Sequence, residues 1–261
     1  MSCHDIAFRI YWWIEKRIAP EIRYAQYDYE EVLFRLVPDG AVWLDVGCGH
    51  QLLPEWRQMQ EKELVSRAHL LVGLDYDHAS LMKHKTIAFR IRGDIGQLPF
   101  RNDSFDIVTA NMVVEHLQEP LKQFREIARV LKPGGLFIFH TPNYYSPLVL
   151  IASFTPDSLK RKIIWLLERR TEEDVFRTYY RANTEKDIRQ IAQAAGLLTE
   201  KITLVTSSGH ALFALFPPVT VLELLYLKTI KRYHPLRHLR GNMIAVLRKP
   251  DHTRSQTNAV M

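Results

Sequence analysis

Val42-Trp43-Leu44-Asp45-Val46-Gly47-Cys48-Gly49 is an apolar run that ends in an acid and then breaks into two glycines one residue apart. Short, apolar and rich in β-branched residues, Ala41 to Val46 reads as a buried parallel strand rather than a helix. Glycines directly after such a strand let the backbone turn sharply and approach a ligand that no Cβ obstructs. The stretch therefore marks a nucleotide-type cofactor site at the carboxyl end of a central strand.

On the carboxyl side of this turn, Leu70 to Leu74 ends in Asp75, Ile87 to Ile91 precedes Gly93-Asp94, and Phe105 to Ala110 forms a further apolar run. Between them lie helical segments: one opening near Pro54 and running to about Glu63, a short one before Ile87, and one from about Leu121 to Leu131. The last puts Phe124, Ile127, Ala128 and Leu131 on one face. Lys132-Pro133-Gly134-Gly135 reads as its stop and turn, and Leu136 to His140 as a fifth strand. This alternation predicts an α/β fold with a parallel, doubly wound sheet.

On the amino side, residues 5–37 read as two helices broken near Pro20. Beyond Asn143 the rhythm changes. An apolar stretch from Leu148 to Phe154 leads into a helix around Trp165 and a charged turn at 168–174. Thr184 then reads as an N-cap, Gly196 as the end of that helix, Ile202 to Thr206 as a sixth strand and Asn242 to Leu247 as the last. The expected organisation is an N-terminal helical cap over 1–38, a cofactor-binding domain over 39–250 with helical insertions at 144–182 and 207–241, and a disordered tail over 251–261.

Composition limits the function classes. With 47 % hydrophobic and 25 % charged residues, the chain has the make-up of a soluble globular protein. Trp12 and Trp13 sit in an aromatic stretch without a small-residue cleavage site, so no secretory signal is expected. Cys3 and Cys48 are the only cysteines, which argues against a disulfide framework or a thiolate metal site and for a reducing cytoplasm. From Lys228 to Lys249 the chain carries seven Lys or Arg and no Asp or Glu, against a net charge of +6 for the whole. The excess is thus a local patch, and no nucleic-acid partner is expected.

Asp45, Asp75 and Asp94 each follow a strand, so in an open sheet they converge on one crevice. Asp75 is placed for ribose hydroxyls and Asp94 for an exocyclic amine. The third glycine of the dinucleotide fingerprint is absent from His50-Gln51-Leu52-Leu53, and Glu55 stands where a pyrophosphate would want a positive helix end. A nicotinamide dehydrogenase is therefore disfavoured. The ligand expected here has no phosphate or carries positive charge.

Further blocks follow in order: Gly73-Leu74-Asp75, Gly93-Asp94-Ile95-Gly96-Gln97-Leu98-Pro99-Phe100, Asn102-Asp103-Ser104-Phe105-Asp106-Ile107-Val108, Glu115-His116-Leu117, and Glu126 through Gly135. With these the chain resembles the class I S-adenosylmethionine-dependent methyltransferases, in particular the group that includes the ubiquinone-biosynthesis enzymes. The resemblance is dense over 41–143 and looser over 184–248. It implies a Rossmann-like seven-stranded sheet with an antiparallel last strand, and S-adenosyl-L-methionine as cofactor. It also implies roles for particular residues. Gly47, Cys48 and Gly49 would pass the methionine part, with Asp45 near its amino group. Asp75 would hold the ribose and Tyr76 would lie beside the adenine, whose edge Asp94 and Ile95 would read. Asn111 and Met112 would line the wall near the sulfonium. Where the family usually has another glycine, this chain has Gln51.

Methyl transfer needs a base only if the acceptor must lose a proton. His116 and His140, both near strand ends, are the candidates, each with a plainer reading as a structural contact, and no catalytic residue is assigned. The acceptor side is expected among the additions, with Tyr24, Tyr27, Tyr29, Tyr144, Tyr145, Tyr179 and Tyr180 as wall candidates. Ala211 to Leu227 is almost wholly apolar, too short to span a bilayer and followed at once by the basic patch. Its two readings are a peripheral membrane contact through 211–240 at the inner face of the membrane, and a packing helix or homodimer face with a solvated basic tail. The function expected is methyl transfer to a small-molecule acceptor, of lipid-linked or sugar type, with a non-catalytic cofactor-binding scaffold as the alternative.

Overall fold

The computed structural model describes residues 3–155, 177–208 and 216–251. Its elements are α1 (Cys3–Ile18), α2 (Ala25–Leu36), β1 (Val42–Val46), α3 (Gln58–Ser66), β2 (Leu70–Asp75), α4 (His78–Lys83), β3 (Phe89–Arg92), β4 (Phe105–Asn111), α5 (Pro120–Val130), β5 (Leu131–Pro142), α6 (Pro147–Phe154), α7 (Glu185–Ala194), β6 (Leu198–Val205), α8 (Pro217–Arg232) and β7 (Asn242–Arg248). The helix expected around Trp165, the charged turn at 168–174 and the tail from 252 lie outside the described residues.

Seven strands form one sheet in the order β3-β2-β1-β4-β5-β7-β6. The contiguous strands β3 to β5 are parallel, and the register sets Asp45 beside Gly73 and Thr109, and Asn111 beside His140. β7 runs antiparallel to β5: Gly134 and Gly135 exchange backbone bonds with Lys249, while Asn143 N donates to Gly241 O nine residues further along β5 and eight back along the other strand. The last inserted strand is therefore the reversed one expected from the sequence.

Several boundaries differ from the sequence reading. Pro54 stands before a 3-10 turn (Glu55–Arg57), and the α-helix starts only at Gln58. Lys132-Pro133-Gly134-Gly135 does not end the strand pairing. It lies inside β5, which begins at Leu131 and shifts register against β4 between Phe105 and Ile107. Gly134 absorbs the irregularity at φ +77°. β3 starts two residues later than read and β6 four earlier.

The described residues fall into two compact units. One comprises Tyr29–Thr141, Thr178–Thr203 and Met243–Met261, and holds the sheet's central strands. Trp43, Leu44, Leu74, Ile107 and Val108 are fully buried or nearly so, as a strand covered on both faces requires. Phe124 of α5 meets Phe137 and Phe139 of β5 edge to face at 5.3 and 5.8 Å. The other unit comprises Met1–Asp28, Pro142–Arg177 and Leu204–Asn242. There Ile14, Ala19 and Ile22 pack with Leu224, Leu227 and Ile230 in a separate apolar cluster.

Candidate functional site

β1 runs straight into the glycine turn. Gly47 sits at φ +66° and Gly49 at φ +54°, conformations that L side chains rarely adopt. The two glycines serve different needs. A Cβ on Gly47 would lie 2.3 Å from Val113 Cγ2, whereas one on Gly49 would meet nothing within 4 Å. Gly47 admits a neighbouring side chain, and Gly49 leaves open space beside the backbone.

Gly47 N donates to Leu74 O at 2.7 Å, which ties the turn to β2. Asp75, at the end of β2, accepts from Gly49 N through one carboxylate oxygen and from Asp77 N through the other, both at 2.8 Å. The predicted ribose acid thus also spans the glycine turn and the start of α4. Cys48 is buried in the turn, its Sγ 2.8 Å from where a Cβ on Gly73 would stand, and burial pushes its thiol pKa up. Tyr76 is 71 % exposed, with the Arg92 guanidinium over its ring at 5.6 Å.

Asp94 follows β3, is exposed, and accepts from Gly96 N at 2.7 Å. Its loop is held from α5: Arg129 donates to Leu98 O and Phe100 O at 2.9 and 2.7 Å, and Glu126 accepts from Leu98 N. Ile95 lies half-buried in the same loop. The three acids do not all follow their strands as expected: Asp45 lies inside β1 one residue before its end, Asp75 is the last residue of β2, and only Asp94 comes after its strand, β3, the three strands being adjacent in the sheet.

Asp45 is 3 % exposed, and its carboxyl is pushed up to about 7, first by burial and then by the charge of Asp75, against a hydrogen bond from Thr109. That bond, Thr109 Oγ1 to Asp45 Oδ1, measures 2.5 Å, and Trp43 Nε1 donates to Thr109 Oγ1 at 2.7 Å. A carboxyl kept there without a cation is held partly neutral. It fits a ligand that brings an ammonium group. Glu61, not Glu55, is the acid that closes the loop: it accepts from Leu53 N at 2.8 Å and from the Thr86 hydroxyl.

On β4 and β5, Asn111 Oδ1 lies 3.0 Å from His140 Nδ1, which makes Nδ1–H the donor. His140 is 2 % exposed and stacked on Tyr29 of α2, centroids 5.7 Å apart. Met112 follows at φ +57° and is partly exposed. His116 lies in the 3-10 turn Val114–His116, its Nε2 3.9 Å from Glu115 Oε1.

Glu115 was not singled out as a site residue, yet it organises this wall. Its carboxylate accepts from Thr141 Oγ1 at 2.9 Å, Asn183 Nδ2 donates to the same hydroxyl, and Tyr179 N and Tyr180 N donate to its backbone carbonyl. Burial raises its pKa. Neither Thr141 nor Asn183 lies in a motif, and only the fold brings them together. Tyr180 is held at φ +51°. Of the other tyrosines named as wall candidates, Tyr24, Tyr27, Tyr144 and Tyr145 lie within the other unit.

Residues 44–139 match the family model described as a methyltransferase domain. A probable S-adenosylmethionine-dependent methyltransferase of Mycolicibacterium smegmatis is 37 % identical over 103 residues, covering 38 % of this chain and 37 % of that protein. A ubiquinone biosynthesis O-methyltransferase of Xanthomonas axonopodis pv. citri is 35 % identical over 116 residues, covering 44 % and 48 %. The chain therefore spans less than half the length of either curated relative. Among solved structures, the complex between the Haloferax volcanii Trm112 methyltransferase activator and the putative methyltransferase aligns with 92 % of this chain and 95 % of that one, at a TM-score of 0.56 and 19 % identity, a likeness of fold. Over residues 44–139, which hold the glycine turn and the sheet's central strands, the chain is similar to S-adenosylmethionine-dependent methyltransferases.

Proposed function

We propose that the chain transfers a methyl group from S-adenosyl-L-methionine to a small-molecule acceptor of lipid-linked or sugar type. One observation carries the reading: three carboxylates stand at or just past the carboxyl ends of three adjacent strands, beside a glycine turn whose open side is at Gly49. That set suits a ligand with an ammonium group and ribose hydroxyls and offers nothing to a pyrophosphate. Asp45, Gly47, Cys48 and Gly49 would hold the methionine part. Asp75 and Tyr76 would take the nucleoside, Asp94 and Ile95 the adenine edge, and Asn111 and Met112 the wall next to the sulfur. S-adenosylmethionine, when bound, supplies a methyl on a positively charged sulfur. The protein's part is to orient the acceptor in line with it and exclude water.

Where the acceptor must lose a proton, His116 is the better placed of the two histidines. His140 is enclosed by Tyr29 and committed to Asn111, so in this reading it orients the amide. The partners that go with the reading are the acceptor and a membrane surface met through 211–240 on the cytoplasmic side, with a homodimer as the competing occupant. No helix among the described residues is long and apolar enough to cross a membrane.

Titration calorimetry with S-adenosylmethionine and S-adenosylhomocysteine tests the site. Both ligands are expected to bind, and Asp75→Ala to weaken them by about 1–3 kcal/mol through loss of a half-buried charged acceptor. No heat from either ligand at high micromolar concentration overturns the proposal. Transfer of a labelled methyl to any acceptor separates it from a non-catalytic cofactor-binding protein of the same fold.

A further inference from the structure

We infer that an anionic bilayer surface is met by α1 and α8 together, so that the contact extends well beyond 211–240. This rests on the membrane-contact part of the reading above and is independent of methyl transfer.

α1 and α8 lie side by side within one unit. Lys228 Nζ donates to Ile18 O at 2.8 Å and Lys231 Nζ to Glu21 O, while Ile14 and Ala19 share a cluster with Leu224 and Leu227. Positions rise together along both, so the helices run parallel. Tyr11 and Glu15 face Glu223. The acids of the two helices whose side chains are described point inward: Glu15 is 5 % and Glu223 7 % exposed.

What faces outward is a different chemistry. On α1, Trp12 is 44 % and Trp13 56 % exposed, followed by Lys16 and Arg17, with the Arg17 guanidinium 4.1 Å over the Trp13 ring. On α8, Leu222 is 67 % and Leu225 48 % exposed, followed by Lys228 and Arg232. Spacing places Pro218, Leu222, Leu225, Thr229 and Arg232 in one stripe. Both helices thus show apolar side chains first and cations in their last turns. Because they run parallel, the cations of both gather at the same end.

A helix face turned to water ordinarily carries mixed charges. Here the outward faces combine indoles and leucines at the depth of an acyl boundary with cations for anionic headgroups. A second copy would cover the leucines but bring the same cations, with no outward acid among the described side chains of either helix to pair with them. The exposed Glu21 lies past the end of α1. Charge complementarity therefore selects an anionic lipid surface.

Flotation of the full chain with phosphatidylcholine vesicles, with and without phosphatidylglycerol, tests this. The wild type is expected to float with the anionic vesicles only, and less at high salt. Trp13→Ser with Lys16→Glu, and separately Leu222→Ser with Arg232→Glu, should each lower partitioning by about tenfold or more. Cofactor heats and circular dichroism should stay unchanged. If a variant misfolds, Lys16→Gln and Arg232→Gln carry the same comparison with a smaller change. An α1 variant that floats like wild type while the α8 variant does not overturns the joint surface and leaves the contact through 211–240 standing. No flotation of the wild type overturns both. A concentration-dependent dimer in sedimentation velocity that the same variants abolish assigns the face to a second copy and overturns the inference.

Discussion

Asp45 is a carboxyl group shut in with Thr109 and close to the charge of Asp75. Its folded-state pKa of about 7 lies above the ordinary 3.8, so the group's contribution to stability is fullest below about pH 4 and lost as pH rises through about 7. A ligand ammonium beside it favours the ionised form. Affinity for S-adenosylmethionine should therefore rise with pH up to about 7 and then level, and Asp45→Asn should bind weakly with a flat profile. Calorimetry across this range decides, and a flat wild-type profile counts against the ammonium contact. The two glycines of the turn make a second residue-level contrast. Gly47→Ala adds a clash with Val113 to a left-handed backbone, and should lower stability by roughly 2 kcal/mol or more. Gly49→Ala meets no protein atom, so it should cost about 1–2 kcal/mol of backbone strain while losing most ligand binding. Chemical denaturation paired with calorimetry separates the two.

At the scale of elements, what was legible in the sequence follows from how local the signal is. β1, β2, β4 and α5 were readable to within a residue or so, because each is bounded by its own acid, glycine or proline. So was the Thr184 cap: its Oγ1 accepts from Asp187 N at 3.1 Å. Lys132-Pro133-Gly134-Gly135 was misread because a helix stop and a strand bulge use the same residues. Only the pairing of Leu131 with Phe105 and of Gly134 with Lys249 reveals the strand. In the site, the glycine turn and the three acids were legible, whereas Glu115, Thr141 and Asn183 meet only through tertiary contacts. The same holds for the carboxyl pair between α1 and α8. Glu223 is pushed up to about 8, mainly by burial and then by Glu15. The stabilisation tied to its protonation is full below its ordinary 4.5 and disappears as pH rises through about 8. Glu223→Gln should leave the melting temperature near neutral pH little changed or higher, and remove much of its fall toward pH 9. An unchanged slope in the variant argues against the buried pair as its source.

For the whole molecule, the central strands were predictable because strands and helices alternate along consecutive residues, whereas each of the two units draws on three separate segments of the chain. No local period announces such an assembly. Its charge is equally uneven, since the seven cations between 228 and 249 exceed the net +6 of the full sequence. One small contact has a bearing on how this chain can drift. The Cys48 sulfur stands where a side chain at position 73 would begin, so the two positions share a single volume. A methyl group at 73 should be rejected while sulfur occupies 48, and better tolerated once Cys48 becomes Gly. A double-mutant cycle of Gly73→Ala and Cys48→Gly should therefore show a favourable coupling of about 0.5–3 kcal/mol, and additivity would deny it. Substitution at 73 is then a route that opens only after 48 has changed, which makes the order of events, and not the end states alone, part of what this turn permits.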